Sequence, residues 1–178
     1  MRTFLRLATV AVALCSNTHA FGEAQEQRIA ESIVIDAPPA AVWAVAGDFA
    51  HLDRWYPFID ASRLVLGRNG EVGAIREIRR LNGTKVEEKL IEFDPWNYRL
   101  VYTYAEGMPL TSDYFATMQV KEAGAGKSLV EWTARFKRLS YWTDQAPAGQ
   151  EDATLTKLLT NAYRAGLQNL KKVVEPAQ

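Results

Sequence analysis

The chain has 178 residues, with 21 basic and 21 acidic side chains, one cysteine and two histidines. This length suits one domain, and a net charge of zero removes the attraction on which non-specific nucleic-acid binding depends. A single cysteine excludes disulfide scaffolds and cysteine-based zinc sites. We therefore expect a soluble globular domain with no cofactor, no metal site and no nucleic-acid partner.

The first 20 residues have the pattern of a secretory signal peptide. Arg2 and Arg6 precede Leu7–Cys15, an uncharged run of nine residues that is too short to span a bilayer of about 30 Å. Thr18–Ala20 then places small residues at the positions that signal peptidase requires. We expect cleavage after Ala20 and export to the periplasm. An amphipathic N-terminal helix and a lipoprotein signal ending at Cys15 remain as alternatives.

The mature chain would form one domain. Residues 21–27 are interpreted as an N-terminal extension and residues 28–175 as the domain itself. No later segment contains about 18 consecutive apolar residues, so we expect no stable membrane span. The mature chain would keep no cysteine, which suits an oxidising compartment.

The first elements of the domain are a strand and two short helices. Arg28–Asp36 is rich in β-branched residues and predicts a strand. Pro39 can occupy the first turn of a helix, and Ala40–Phe49 has helical apolar spacing. His51–Ile59 predicts a second short helical turn, which Pro57 would stop.

Strand patterns then follow one another without an intervening helix. Asn82-Gly83 is a strong hairpin signal between two of them, so the pattern predicts an antiparallel meander. The predicted strands are Arg63–Leu66, Gly73–Leu81, Thr84–Phe93, Tyr98–Tyr104, Tyr114–Lys121 and Ser128–Arg138. The chain ends with a long helix predicted over Glu151–Val174, whose apolar residues follow 3-4 spacing. At 1.5 Å per residue this helix is about 36 Å long, enough to cover one face of the sheet.

Three segments carry a resemblance to a known family. Ser32–Ile59 contains the strand, the Ala-Pro-Pro turn and the helix that open the polyketide cyclase/dehydrase group of the START-like (SRPBCC) superfamily, the birch-pollen-allergen fold. Glu88–Leu90 followed by Asp94, and Ser128–Phe136, resemble later strands of the same group. The resemblance implies an α+β helix-grip fold, in which a curved antiparallel sheet of about seven strands surrounds the C-terminal helix and a hydrophobic cavity lies between them.

The alternation of side chains along each strand predicts which residues face that cavity. Val130, Trp132, Ala134 and Phe136 form one inward set; a second contains Tyr98, Leu100, Tyr102 and Tyr104, and a third Tyr114, Ala116, Met118 and Val120. Together with the resemblance, these patterns give the candidate ligand-binding residues Trp55, Ile78, Arg80, Glu88, Leu90, Tyr102, Tyr114, Met118, Trp132, Phe136, Tyr163 and Gly166. The alternative is that the same aromatic residues only fill a core.

Charged residues fall on two of the inward faces. Val86, Glu88, Leu90 and Glu92 share one face, and Ala74, Arg76, Ile78 and Arg80 share a face of the neighbouring strand. The resemblance places Glu88 and Arg80 toward the cavity. We expect these two to form an ion pair, because a buried unpaired charge is costly. The alternative is a register shifted by one residue, with both side chains solvated.

Several further residues are informative. Trp55 is predicted to line the cavity mouth or to pack under the long helix, and Gly166 to make room for a ligand or for a bulky neighbour such as Trp132. The loop Gly107–Leu110 joins two strands, and the resemblance implies that it acts as a gate, as such a loop often does in the family. The loop Leu139–Gln150, with Tyr141 and Trp142, suggests a partner surface. His51 is interpreted as a surface or capping residue.

Two functions remain open from sequence. The first is an exported, non-enzymatic protein that binds a small apolar ligand or assists a periplasmic oxidoreductase. The combination of export and fold is similar to an exported subgroup associated with methanol oxidation. Members of that subgroup are thought to assist electron flow from methanol dehydrogenase to cytochrome c. The second is a cyclase or dehydratase in which Glu88 acts as general acid or base, because an apolar pocket raises the pKa of a carboxyl group. If the protein has the first function, none of its residues is catalytic.

Overall fold

The computed structural model describes residues 24–107, 110–139 and 147–175. The elements in chain order are β1 (Gln27–Ile35), α1 (Pro39–Ala46), a 3₁₀ turn (Leu52–Arg54), β2 (Ile59–Leu66), β3 (Ile75–Arg80), β4 (Lys85–Asp94), β5 (Arg99–Glu106), β6 (Thr111–Glu122), β7 (Ser128–Arg138) and α2 (Asp152–Val174). The expected signal peptide, the centre of the expected gate loop and the aromatic pair Tyr141 and Trp142 lie outside the described residues.

The seven strands form one antiparallel sheet in the order β1-β7-β6-β5-β4-β3-β2. Six consecutive strands therefore make a meander, and β1 closes onto the last strand, with Ile29 opposite Ala134. Helix α2 packs against β1 and β7. This architecture confirms the helix-grip α+β fold. Among the described residues, no helix is both long and apolar enough to cross a membrane.

The core lies between the sheet and α2. On β7, Val130, Trp132, Ala134 and Phe136 are all buried, as the alternation predicted, and so are all four members of the β6 set. The apolar stripe of α2 covers them with Leu155, Tyr163, Leu167 and Leu170. Burying a large apolar side chain contributes about 1.5–3 kcal/mol, so this two-layer contact is the main source of stability.

The segment between β1 and β2 differs from its prediction. Helix α1 ends at Ala46, where the Gly47 amide donates to the Trp43 carbonyl over 2.8 Å, so Phe49 lies beyond the helix although it is fully buried. The second helical turn is only Leu52–Arg54, because Ile59 already pairs with β3. Strand pairing here outweighs the local helical pattern.

The side chain of Glu92 also differs from its prediction. A register shift between Leu90 and Glu92 interrupts the alternation of β4, so Glu92 is exposed and bonds Arg99 instead of facing the core. A β-bulge of this kind changes the face of every later side chain in a strand. The expectation that Glu92 shares the inward face with Glu88 was therefore wrong.

Candidate functional site

A cavity of about 430 Å³ lies between the sheet and α2. It is bounded by side chains from β3 to β7, by the segment that leads into β2, and by one face of α2. Seven of the residues proposed from sequence line it: Ile78, Arg80, Glu88, Tyr102, Tyr114, Trp132 and Tyr163. The size falls within the range of small-molecule pockets.

Five of the residues proposed from sequence are buried but do not line the cavity. Leu90, Met118 and Phe136 lie on the predicted inward faces, yet they pack into the core beyond the cavity. Alternation identifies the face of a strand, but it does not show how far along the strand the helix leaves space. Trp55 and Gly166, the other two, have structural roles at α2.

Trp55 packs beneath the long helix. Its side chain is only 2% exposed, its carbonyl accepts a 2.8 Å hydrogen bond from Asn169 Nδ2, and its ring meets Trp132 edge-to-face at 5.4 Å. The sequence predicted a position either at the cavity mouth or under the long helix, and the structure shows Trp55 under the helix. Trp55 therefore supports Trp132, which does line the cavity.

Gly166 allows two aromatic rings to touch α2. A Cβ atom at this position would lie 2.9 Å from Trp132 Cζ3 and 2.9 Å from Tyr56 Cδ2. Both rings line the cavity. The Trp132 and Tyr56 rings therefore fill the space beside Gly166, so a ligand does not occupy it.

Several lining residues were not proposed from sequence. Tyr56 and Phe58 come from the segment predicted to be helical, so no strand alternation pointed to them. Tyr104 belongs to the predicted inward set of β5 and could have been found there. Ala162 of α2 directly precedes Tyr163, and both residues line the cavity.

The buried partner of Glu88 is Arg76, which sequence reasoning did not single out. Arg76 Nε and Nη2 donate to Glu88 Oε2 over 2.8 and 2.5 Å, and both side chains are almost fully buried. The two residues are directly opposite in the β3–β4 register. The expected Glu88–Arg80 pair is therefore replaced by Glu88–Arg76, although Arg80 lines the same cavity and its charge acts on Glu88. The register was the missing information, since Arg76 shares the predicted inward face with Arg80.

Arg76 also fixes the turn that follows α1. Its Nη1 donates to the Phe49 carbonyl over 2.9 Å, and its guanidinium lies 4.2 Å from the centre of the Phe49 ring. Asn69 accepts from the Ala50 amide at 3.1 Å, and its Nδ2 donates to Asp48 at 2.9 Å. His51 lies at the exposed end of this turn, with Nδ1 3.0 Å from the Asp48 carboxylate, as expected for a surface residue.

Burial sets the electrostatics of the cavity. It raises the pKa of Glu88, and the Arg76 guanidinium opposes that rise by stabilising the carboxylate. Burial also raises the pKa of Tyr102, Tyr104 and Tyr114, with the Glu88 charge acting in the same direction. These phenols therefore stay protonated at neutral pH and can donate hydrogen bonds.

Two pairs of aromatic residues form the inner wall. Trp132 Nε1 donates to Tyr102 Oη over 3.1 Å, and the hydroxyls of Tyr114 and Tyr163 share a short hydrogen bond. Trp132 also stacks on Tyr163, with ring centres 3.8 Å apart. Such a wall offers flat apolar surface to a guest molecule. The described residues contain no group of three His, Cys, Asp or Glu side chains placed to hold a metal ion.

Comparisons with known proteins agree with this geometry. The family model described as polyketide cyclase / dehydrase and lipid transport matches residues 26–175. The abscisic acid receptor PYL6 of Arabidopsis thaliana is 24% identical over 163 residues, which cover 90% of this chain and 74% of that protein.

Solved structures give the same picture. The protein XoxI from Bacillus cereus is 26% identical with a TM-score of 0.69, over 83% of this chain and 94% of that one. The Zhui aromatase/cyclase from a Streptomyces species has a TM-score of 0.72 over 83% of this chain and 93% of that one, and at 13% identity it supports the fold alone. Because the family model spans most of the chain, the protein belongs to the polyketide cyclase / dehydrase and lipid transport family of the START-like superfamily.

Proposed function

We propose that the protein binds a small apolar molecule in the cavity between the sheet and α2 and does not transform it. The observation that carries this proposal is the 430 Å³ cavity with its aromatic lining. A core that only fills space is packed at close to crystal density and leaves few voids larger than a water molecule. A preserved cavity of this size, in a family described by lipid transport as well as cyclisation, favours a guest molecule.

The test has two parts. Organic-solvent extraction of the purified protein followed by mass spectrometry is expected to release a bound apolar molecule. Binding of the neutral fluorescent probe N-phenyl-1-naphthylamine is then measured for Ala162→Phe and for the control Ala165→Phe. Ala162 lines the cavity and Ala165, three residues further along α2, does not. We expect at least tenfold weaker binding only for Ala162→Phe, and equal affinities would contradict the proposal.

A cyclase or dehydratase activity is the second candidate. The raised pKa of Glu88, inside the cavity, is the observation that favours it. A suitable probe is 3-hydroxy-1-tetralone, which loses one water molecule to give fluorescent 1-naphthol. Formation of naphthol that is lost in Glu88→Gln and kept in His51→Ala would establish catalysis. An unchanged background rate with the wild-type protein would exclude this reaction.

Export and an oxidoreductase partner are proposals that depend on the sequence. The pattern of residues 1–20 supports export, and the resemblance to a subgroup associated with methanol oxidation supports an accessory role between a dehydrogenase and cytochrome c. Fusion of residues 1–25 to alkaline phosphatase tests export, since this enzyme is active only after translocation. Addition of the purified protein to a dehydrogenase–cytochrome c assay tests the partner, and an unchanged rate of cytochrome reduction would oppose it.

A further inference from the structure

The polar groups of the cavity fall into two sets. In the first set the groups satisfy one another: Trp132 donates to Tyr102, and Tyr114 shares a hydrogen bond with Tyr163. A ligand gains less by approaching these groups than by approaching an open one, because each of them already has a hydrogen-bond partner. This inner wall therefore selects for flat apolar surface.

In the second set the groups are open. The two hydrogen bonds that Arg76 donates to Glu88 both end on Oε2, and within the described residues Oε1 has no hydrogen-bond partner. The hydroxyls of Tyr56 and Tyr104 likewise make no hydrogen bond with the described residues, although both side chains line the cavity. Tyr104 is directly opposite Glu88 in the β4–β5 register. Side chains in such a position have Cβ atoms about 4.5–5.5 Å apart, so one ligand group can reach both.

A purely hydrocarbon guest would remove water from these open groups without replacing its hydrogen bonds. Leaving a buried carboxylate oxygen and a hydroxyl without partners is costly, and more so for the charged group. A site of this kind strongly rejects an analogue that lacks the matching hydroxyl. The open set therefore selects for a polar group, as the inner wall selects for an apolar body.

The chemistry of the open set defines that group. Oε1 of Glu88 only accepts a hydrogen bond, whereas the Tyr104 hydroxyl can donate one. We infer that the cavity takes an uncharged, flat, ring-containing molecule with a hydroxyl group, which donates to Glu88 Oε1 and accepts from Tyr104. This inference rests on the proposed function, because it names the class of ligand for the same cavity. A carboxylate in that position would lie against the Glu88 charge, and an amine cation would meet Arg76 and Arg80.

Three probes of one shape test the inference: naphthalene, 2-naphthol and 2-naphthoate, measured by equilibrium dialysis at pH 7. With the wild-type protein, 2-naphthol is expected to bind at least tenfold more tightly than either of the others. In Tyr104→Phe this preference should fall at least threefold, and in Glu88→Gln at least fivefold. Tyr98→Phe is the control, because Tyr98 packs against Trp43 and does not line the cavity.

The outcomes separate the inference from the proposed function. Equal binding of naphthalene and 2-naphthol, tightest binding of 2-naphthoate, or a preference unchanged in both Tyr104→Phe and Glu88→Gln would overturn the inference and leave an apolar binding protein. Binding of none of the probes, with an empty solvent extract, would overturn the proposed function itself. Tyr104→Phe removes a hydroxyl with no partner among the described residues, so it carries the test even if Glu88→Gln fails to fold.

Discussion

The buried Arg76–Glu88 pair predicts a large and pH-dependent loss of stability when Arg76 is replaced by methionine. This change preserves most of the apolar bulk of the side chain, but it leaves the Glu88 carboxylate without its cation, with both side chains less than a tenth exposed. Breaking a buried pair in this way costs about 3–5 kcal/mol. Since a domain is typically stable by about 5–15 kcal/mol, the variant should still fold but with little reserve.

The pH dependence follows from the sign of the Glu88 shift. The pKa of Glu88 is already raised in the native protein, so between about 4.3, the unfolded value, and the raised value the native state binds more protons than the unfolded state. The free energy of unfolding therefore decreases as pH rises through this window. Loss of Arg76 raises the native pKa further and extends the window upward. The deficit should be largest at neutral pH and should shrink as pH falls toward about 4.3.

Urea unfolding at several pH values, followed by tryptophan fluorescence, measures this effect. The control is Arg79→Met on the same strand, whose pair with Asp60 is about half exposed and should contribute less than about 1 kcal/mol. The double variant Arg76→Met with Glu88→Leu should recover most of the loss, because a buried pair can be replaced by apolar residues at little cost. A loss for Arg76→Met that equals the control at pH 7, or that does not change with pH, would refute this account of the pair.

Two further predictions concern α2 and the β4–β5 turn. Gly166→Ala gains about 1 kcal/mol of helix propensity, but its Cβ would lie 2.9 Å from Trp132 and from Tyr56, and such overpacking typically costs about 1–3 kcal/mol. We therefore expect a lower Tm and weaker probe binding. A higher Tm with unchanged affinity would show that the two rings move aside freely. The Asn97 side chain donates a 2.7 Å hydrogen bond to the Asp94 carboxylate and lowers its pKa. Asp94 therefore contributes stability that is fully present above about pH 3.9, the unfolded pKa, and that is lost as pH falls through the lowered native pKa. Asn97→Ala should therefore reduce stability at pH 7 but leave it nearly unchanged at pH 2 in urea unfolding, and equal losses at both pH values would contradict this assignment.

Sequence patterns predicted the sheet well where one face is buried. The bounds of β7 agree with the prediction at both ends, and its alternation identified all four buried side chains. The same reasoning failed for Glu92, because a β-bulge is set by how β4 pairs with β5 and leaves no clear local signal. It also failed for the segment His51–Ile59, where pairing of Ile59 with β3 prevails over a helical pattern.

The candidate site was predicted less completely than the fold. Glu88 was identified as the charged cavity residue, but its partner was assigned to Arg80 instead of Arg76. Both arginines lie on the inward face of β3, so periodicity alone could not distinguish them. The distinction comes from register, which places Arg76 opposite Glu88 and Arg80 opposite Ile59.

The amino-acid sequence by itself determined the order of elements, the buried faces of β6 and β7 and the apolar stripe of α2, because these depend on periodicities of two and 3.6 residues within one segment. Only the tertiary structure decided which buried residues border empty space and which oxygen of Glu88 is left open. Those features depend on the pairing register of β3, β4 and β5 and on the position of the Trp132 and Tyr56 rings, which pack against α2 at Gly166. A cavity is defined by atoms from segments far apart in the chain, and local patterns carry no record of the distance between them.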